Sequence, residues 1–444
     1  MKSFIRSLYI APLLYYVIAA EVVFLVLGFF FPLLYNLALY SLIIIFVLLI
    51  ADGIILYVNK NGISARRNTL EKLSNGDENS VSVHIENKYN FPARLNVIDE
   101  LPFQFQMRDA EFRINLDPGE NKTIEYKVYP LKRGEYHFGA VNVFVKSPIG
   151  LLEKRYRFSQ NMIVPVYPSF IQMRKFELLA INNRITEAGI KKIRRIGNHS
   201  EFDQIKDYVS GDDYRTINWK ATARKERLMV NQFQDERSQQ VYSLIDMGRV
   251  MQMPFEGLSL LDYSINSSLT ISNIAMLKSD KAGVITFSSK VQSVLPAERK
   301  GGHLNKILQL LYNQKTDYLE SDYETLYINV KKRINSRSLL LLYTNFESLS
   351  GLHRQMKYLK QLSRDHLLVV IFFENTELRT LIDRPATTVE EIYHKTIAEK
   401  FAIEKKLIVR ELQQYRIHSI LTEPQKLSVN TINKYLELKA RGLL

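Results

Sequence analysis

The sequence predicts a multidomain chain: a transmembrane helical hairpin, then an all-β sandwich, then a doubly wound α/β domain. Three observations predict it. Residues 8–58 are almost uninterrupted hydrocarbon, apolar residues then alternate with polar ones to about residue 166, and beyond Gln240 short apolar runs alternate with segments of helical period. At 444 residues and 46% hydrophobic composition, two or three cores are expected. The boundaries follow from those shifts: hairpin 1–60, sandwich 61–168, linker and motif region 169–240, α/β domain 241–444.

The first 60 residues are too apolar for too long to be one span or a cleavable signal. Two helices fit, about Tyr9 to Gly28 and about Asn36 to Val58, joined near Pro32. Lys2 and Arg6 precede them, and Lys60, Arg66 and Arg67 follow, with nothing basic between. The excess of cations at both ends places them, and the bulk of the chain, on the cytoplasmic side of the membrane. Glu21 then falls near mid-bilayer and Asp52 near the cytoplasmic end, too far apart to pair, so packing rather than ion transport is expected of both.

From Leu70 to Val166 the side-chain period becomes two. Val81, Val83 and Ile85 point one way, as do Ile124, Tyr126 and Val128, and Val141, Val143 and Val145. Turn residues separate these runs at Asn75-Gly76-Asp77, Asp117-Pro118-Gly119 and Lys132-Arg133-Gly134. Many short strands at this spacing predict an immunoglobulin-like sandwich, with Phe91 and the PFQFQM run from Pro102 expected in its core, the alternative being a binding edge. A basic segment containing Lys191, Lys192, Arg194 and Arg195 follows, as a solvated linker face or a contact for anionic lipid.

The stretch from Glu201 to Glu236 holds the single tryptophan, Trp219, a Ser210-Gly211-Asp212-Asp213 turn, and a run of cations, Lys220, Arg224, Lys225 and Arg227. Arg215 is expected to pair with a carboxylate of Asp207, Asp212 or Asp213, and Trp219 to be buried between elements, at a truncation cost of about 3 to 5 kcal/mol. The order Glu201-Phe202, Asp207-Tyr208, Gly211-Asp212, Arg215, Ile217-Asn218-Trp219-Lys220, Ala223-Arg224 resembles the bacterial family of domain of unknown function fifty-eight. The resemblance runs over nearly the whole chain. It implies a membrane-anchored protein with a C-terminal domain similar to von Willebrand factor type A, working beside a MoxR-type AAA+ ATPase.

Beyond Gln240, strands are expected at VYSLID, KAGVITFS, KVQSVL, SLLLLYT, HLLVVIFF and IHSILT, with helices at Leu258 to Leu277, Leu304 to Tyr312, Tyr323 to Ile334, Leu352 to Leu362 and Val389 to Tyr415, and one last helix around Ile432. The type A resemblance implies a divalent-metal motif, Asp-x-Ser-x-Ser, after the first strand. Here Asp246 stays, but Gly248 and Val250 stand in place of both serines, Arg249 adds a positive charge, and Asn345 replaces a later Asp. Tight binding of a hard cation is not expected there, and neither is any cofactor.

The chain has no GxxxxGK[ST] loop, HExxH or GxSxG, and its eight histidines form no ligand pattern; His303 reads as a surface loop residue. The formal charge of +14, without a nucleic-acid motif, is assigned to an anionic leaflet or an acidic partner. Two functions follow. The first, not an enzyme, is a membrane-anchored adaptor that meets the ATPase through the strand-end loops near Asp246 and Asn345, the basic stretch adding on-rate, with unidentified client proteins. The alternative is an envelope-associated hydrolase with its site at Asp212, Asp213 and Arg215.

Overall fold

The computed structural model describes residues 6–107, 110–181, 201–210, 212, 214–234, 238–386 and 388–444. It divides into two compact units, Met1–Tyr167 and Pro168–Leu444.

The first unit begins with a short strand, β1 (Leu8–Ile10), then helices α1 (Pro12–Phe30) and α2 (Pro32–Val58). Both helices start on a proline, where the missing N–H costs nothing, and Phe31 between them is extended. Pro12–Phe30 and Leu34–Val58 are long and apolar enough to cross a membrane. The turn is close: a Cβ on Gly28 would come within 2.8 Å of Tyr35 Cα, so only glycine fits. Within the hairpin the Ser41 hydroxyl donates to the Glu21 carboxylate, its oxygen 2.9 Å from both carboxylate oxygens.

Tyr9 is in a strand, not in the first helix. Pro12 biases Ala11 away from helical geometry, and Ala11 is extended, so the helix can start only at the proline.

The sandwich contains β2 (Ile63–Asn68), β3 (Leu73–Ser74), β4 (Asn79–Asn87), β5 (Ala93–Asp99), β6 (Glu111–Leu116), β7 (Asn121–Val128), β8 (Gly134–Phe138), β9 (Val141–Lys146), β10 (Leu152–Phe158) and β11 (Met162–Tyr167). Its sheets run β1-β10-β9-β5-β6, β2-β4-β7 and β3-β11-β8. The alternating residues fall inward as the period requires: Val81, Val83, Ile85, Val141, Val143 and Val145 are all buried. Phe105 packs on Tyr136 and Phe138, and Phe91 on the main core. Phe103 departs from the expected core placement. It sits in a one-turn 3-10 helix with no buried residue and is exposed.

Both outer ends of the hairpin are tied to β10. Ala11 N–H donates to the Leu151 carbonyl (3.0 Å), and the Asp52 carboxylate accepts from the N–H groups of Leu151 (3.1 Å) and Leu152 (2.8 Å). Lys154 Nζ donates to the Leu56 (2.9 Å) and Asn59 (3.1 Å) carbonyls, placing a cation on the negative end of α2. Burial lowers the Lys154 pKa to about 8. Asp52 is thus a joint between helix and sandwich.

The second unit opens with α3 (Phe170–Ile181), whose preceding Ser169 N–H donates to Asn266. A ribbon of β12 (Glu201–Asp207) and β13 (Met229–Gln234), with α4 (Trp219–Lys225) between them, leads to the main sheet. That sheet contains β14 (Gln240–Asp246), β17 (Lys281–Phe287), β18 (Val291–Glu298), β19 (Leu339–Tyr343), β20 (Leu367–Phe373) and β21 (His418–Thr422); a two-residue ladder, β15 (Pro254–Phe255) and β16 (Leu258–Ser259), lies in the first crossover. The order is β18-β17-β14-β19-β20-β21, parallel except for β18. In chain order this is 3-2-1-4-5-6, the doubly wound arrangement.

The helices are α5 (Leu260–Leu277), α6 (His303–Tyr312), α7 (Tyr323–Arg333), α8 (Leu349–Asp365), α9 (Thr376–Asp383), α10 (Val389–Gln414) and α11 (Leu427–Ala440). Side-chain caps set most starts: Ser259 with Asp262, Asp322, Ser348, Asn375, and Thr388 with Glu391. Helix α9 is absent from the sequence expectation; its eight residues bury none of their side chains fully.

Candidate functional site

The family-like motif forms a braced ribbon. β12 and β13 pair antiparallel, Glu201 opposite Gln234, Phe202 opposite Phe233 and Asp207 opposite Met229. Tyr208 N–H continues the ladder to the Leu228 carbonyl (2.9 Å). Asn218 does the bracing: its Oδ1 caps α4 by accepting from Ala221 N–H (3.0 Å), its Nδ2 donates to Asn231 (2.8 Å), and its N–H donates to the Met229 carbonyl (2.8 Å). Thr222 Oγ1 accepts from Met229 N–H (3.0 Å), fastening the short helix to β13.

The turn carboxylate also has a local task. Asp212 accepts from the Val209 N–H (3.0 Å) and from Lys206 Nζ (3.0 Å), and these bonds hold its carboxyl below the usual range. Asp207 pairs with Arg227 (3.4 Å), and Arg215 lies over the ring of Tyr214 (5.7 Å). Gly211, Asp213 and the cluster at Lys191, Lys192, Arg194 and Arg195 lie outside the described residues.

Trp219 corrects the expectation of burial, since it is 69% exposed. It is the first residue of a seven-residue helix in which no residue is buried, so no face exists to receive it. Tyr214 is also 69% exposed and Val209 62%, with Ile205 and Leu228 open as well. Lys220, Arg224, Lys225 and Arg227 are exposed around them. The ribbon and its short helix therefore expose aromatic and aliphatic side chains together with cations.

The strand ends of the sheet are closed by contrast. Asp246 is fully buried at the end of β14. Its oxygens accept from Gly248 N–H (2.9 Å), the Ser321 hydroxyl, the Thr344 hydroxyl (2.7 Å) and the Tyr323 phenol (3.3 Å), while Tyr323 and Thr344 also bond each other (2.7 Å). Burial raises the carboxyl pKa despite these donors. Ser321 fills the place a serine at 248 would take: a Cβ on Gly248 would lie 2.1 Å from Ser321 Oγ and 2.9 Å from the Leu319 carbonyl. Val250 sits in the 3-10 turn Arg249–Met251 and offers no oxygen from its side chain. One carboxylate whose lone pairs already receive four protein donors does not fit a divalent cation, which needs several free oxygens.

Neither residue proposed from sequence as a partner contact at the strand ends is accessible, because Asn345 is buried too, its Oδ1 accepting from Lys405 Nζ (2.7 Å). His303 is likewise not a surface residue; it is 2% exposed, with Nε2 bonded to the Ala282 carbonyl (2.7 Å). Gly302, in the left-handed region at φ 81°, starts α6 so that the ring turns onto the sheet. Ser321, Thr344, Tyr323 and Lys405 escaped the sequence reading. Only Thr344, directly after an apolar strand, stood at a place that signals a site.

Comparison with known proteins bears on the ribbon and the sheet. Residues 204–380 match the family described as protein of unknown function DUF58. The chain is similar to the uncharacterized protein YeaD of Bacillus subtilis (strain 168), at 26% identity over 276 residues, 59% of this chain and 65% of that protein, and so spans less than two thirds of the relative. Similar solved structures include the SpRpn10 VWA domain (15% identity, TM-score 0.26, 44% of this chain and 94% of that one). Others are the CARDB domain of the PF1109 protein from Pyrococcus furiosus (15% identity, TM-score 0.17, 23% and 86%) and a PapD-like domain of human CEP192 (13% identity, TM-score 0.18, 24% and 84%). The matched segment contains the Asn218 brace, exposed Trp219 and the Asp246 network, and over that segment the chain is similar to the DUF58 family of proteins of unknown function.

Proposed function

We propose that this protein is a membrane-anchored adaptor or assembly scaffold, its soluble part in the cytoplasm, that works with a MoxR-type AAA+ ATPase through the ribbon. The observation that carries the reading is the exposure of Trp219 and Tyr214 among Lys220, Arg224, Lys225 and Arg227. Trp, Tyr and Arg are the residues that dominate binding energy at protein interfaces, and an apolar patch rimmed by charge marks a contact surface. A lone two-stranded ribbon is marginal in water, so a partner that covers it also stabilises it. The cations favour an acidic partner and a fast, salt-sensitive encounter. Exposed Lys60 and Arg66 at the base of the hairpin support the cytoplasmic side, whereas Arg67 is buried against Asp99.

The test is binding of a MoxR-type ATPase to the full chain in lipid nanodiscs, in each nucleotide state. Trp219→Ala is expected to weaken binding about 30-fold. Lys225→Glu with Arg227→Glu slows association and flattens its salt dependence. No binding at tens of micromolar in either state overturns the adaptor, and turnover of a substrate panel lost in Asp212→Asn would favour a hydrolase instead.

A further inference from the structure

Beside the Asp246 network, on the other half of the sheet, a crevice of about 690 Å³ opens at the C-terminal ends of β19, β20 and β21. The size is that of a small-molecule site, roughly 300 to 1,000 Å³. Its place is the one where doubly wound sheets gather ligands, outside the carboxyl ends of the strands. Phe255 lines it from the first crossover, Phe373 from β20, Leu378 and Ile382 from α9, Phe401 from α10 and Leu421 from β21. Helix α9 is one wall, which gives a purpose to an element that buries no side chain completely.

Lys405 is one of the charged groups that line this space. Its ammonium donates to Asn345 Oδ1 (2.7 Å) and to the Phe346 carbonyl (2.6 Å), and it lies 5.7 Å from the Phe372 ring centroid. These acceptors are neutral, and an ammonium has three N–H donors, so charge and one donor remain for a ligand. Burial brings its pKa down to about 8, opposed by Glu347. A buried cation of this kind is stabilised by an anion brought to it.

The other charges select the kind of anion. Arg379 reaches Glu423 (3.8 Å), Lys406 is exposed, and Glu347, Glu374 and Asp383 also line the crevice. Three carboxylates oppose any anion in proportion to its charge, so a single carboxylate seated on Lys405 suits the lining better than a phosphate or other polyanion.

We propose that this crevice binds a small amphipathic monocarboxylate, its head on Lys405 and its apolar body among Phe255, Leu378, Phe401 and Leu421. Asn345, which stands where the type A pattern has an acidic ligand, then positions the lysine. The site is independent of the ribbon and of the ATPase reading.

The experiment titrates the full chain in nanodiscs with octanoate, using octanol as the same body without the charge and empty discs as background, read by ligand-observed NMR. Saturable octanoate binding, at least about tenfold tighter than octanol and lost by that factor in Lys405→Met, is expected. Ala402→Phe, which fills the crevice from α10 and keeps the ammonium, should also abolish it and decides the matter if Lys405→Met fails to fold. Trp219→Ala should bind octanoate as the native chain does. Equal binding of octanoate and octanol, binding unchanged in Ala402→Phe, or no signal above empty discs overturns the proposal.

Discussion

Replacing Asp246 separates a hydroxyl-locked strand end from a metal site. In Asp246→Ala, the Tyr323 and Thr344 hydroxyls keep each other at 2.7 Å, but the buried Gly248 N–H and the half-buried Ser321 hydroxyl lose their acceptor. Two such groups at about 1 to 3 kcal/mol each give a loss of about 4 kcal/mol, or roughly 8 to 16 °C in Tm for a unit of this size. Asp246→Asn behaves differently. The amide oxygen still accepts from Gly248 and Ser321, and the amide nitrogen donates to Thr344, which turns its hydrogen to Tyr323; only the Tyr323 hydrogen loses an acceptor, so the cost is about 1 to 3 kcal/mol, below that of Asp246→Ala.

The pH dependence gives the sign a second check. Burial raises the Asp246 carboxyl above its ordinary value of 3.8, so the folded native chain holds the proton more tightly than the unfolded chain. The resulting stabilisation is full below the unfolded pKa and is lost as pH rises through the folded one. Asp246→Asn does not titrate, and its Tm should gain on the native chain across that window. Melts followed by circular dichroism, with and without Mg²⁺ or Ca²⁺, provide the assay. An Asn variant as unstable as the Ala variant refutes the network, and micromolar, Asp246-dependent cation binding by calorimetry refutes the conclusion that the site does not fit a metal.

Trp219→Ala should change stability by no more than about 0.5 kcal/mol, since its side chain is exposed; a loss of several kcal/mol in the melt would place it in a core after all. Asp52→Ala strands the Leu151 and Leu152 N–H groups, and a melting loss of about 2 to 4 kcal/mol is expected, so an unchanged transition would show that the joint contributes nothing. A cysteine at exposed Asn61 should resist membrane-impermeant thiol reagents in intact cells and react after permeabilisation, whereas labelling of intact cells would overturn the cytoplasmic orientation.

What the sequence made legible is periodic and local. Val81, Val83 and Ile85 face the sandwich core because strands alternate, and Leu339 to Leu342 are buried because helices cover both faces of the sheet. The misreadings have a common origin in contacts between residues far apart in the chain. Asp246 is expected at an accessible strand-end contact, but it is buried and bonded to Ser321 and Thr344, 75 and 98 positions away. Trp219 was assigned to a core on size alone, although the helix that carries it is too short to have a buried face.

These errors bear on function in opposite directions. At the strand ends, Ser321 occupies the space that a serine at 248 would require, so the motif position is blocked by a hydroxyl that does the same hydrogen bonding from another loop. A recognition surface built on that loop would have to open a fully paired carboxylate, while the ribbon offers its aromatic rings without any such cost. The difference in accessibility is what moves the proposed partner contact from Asp246 and Asn345 to Trp219 and Tyr214, and it leaves Asn345 to hold Lys405 over the neighbouring crevice.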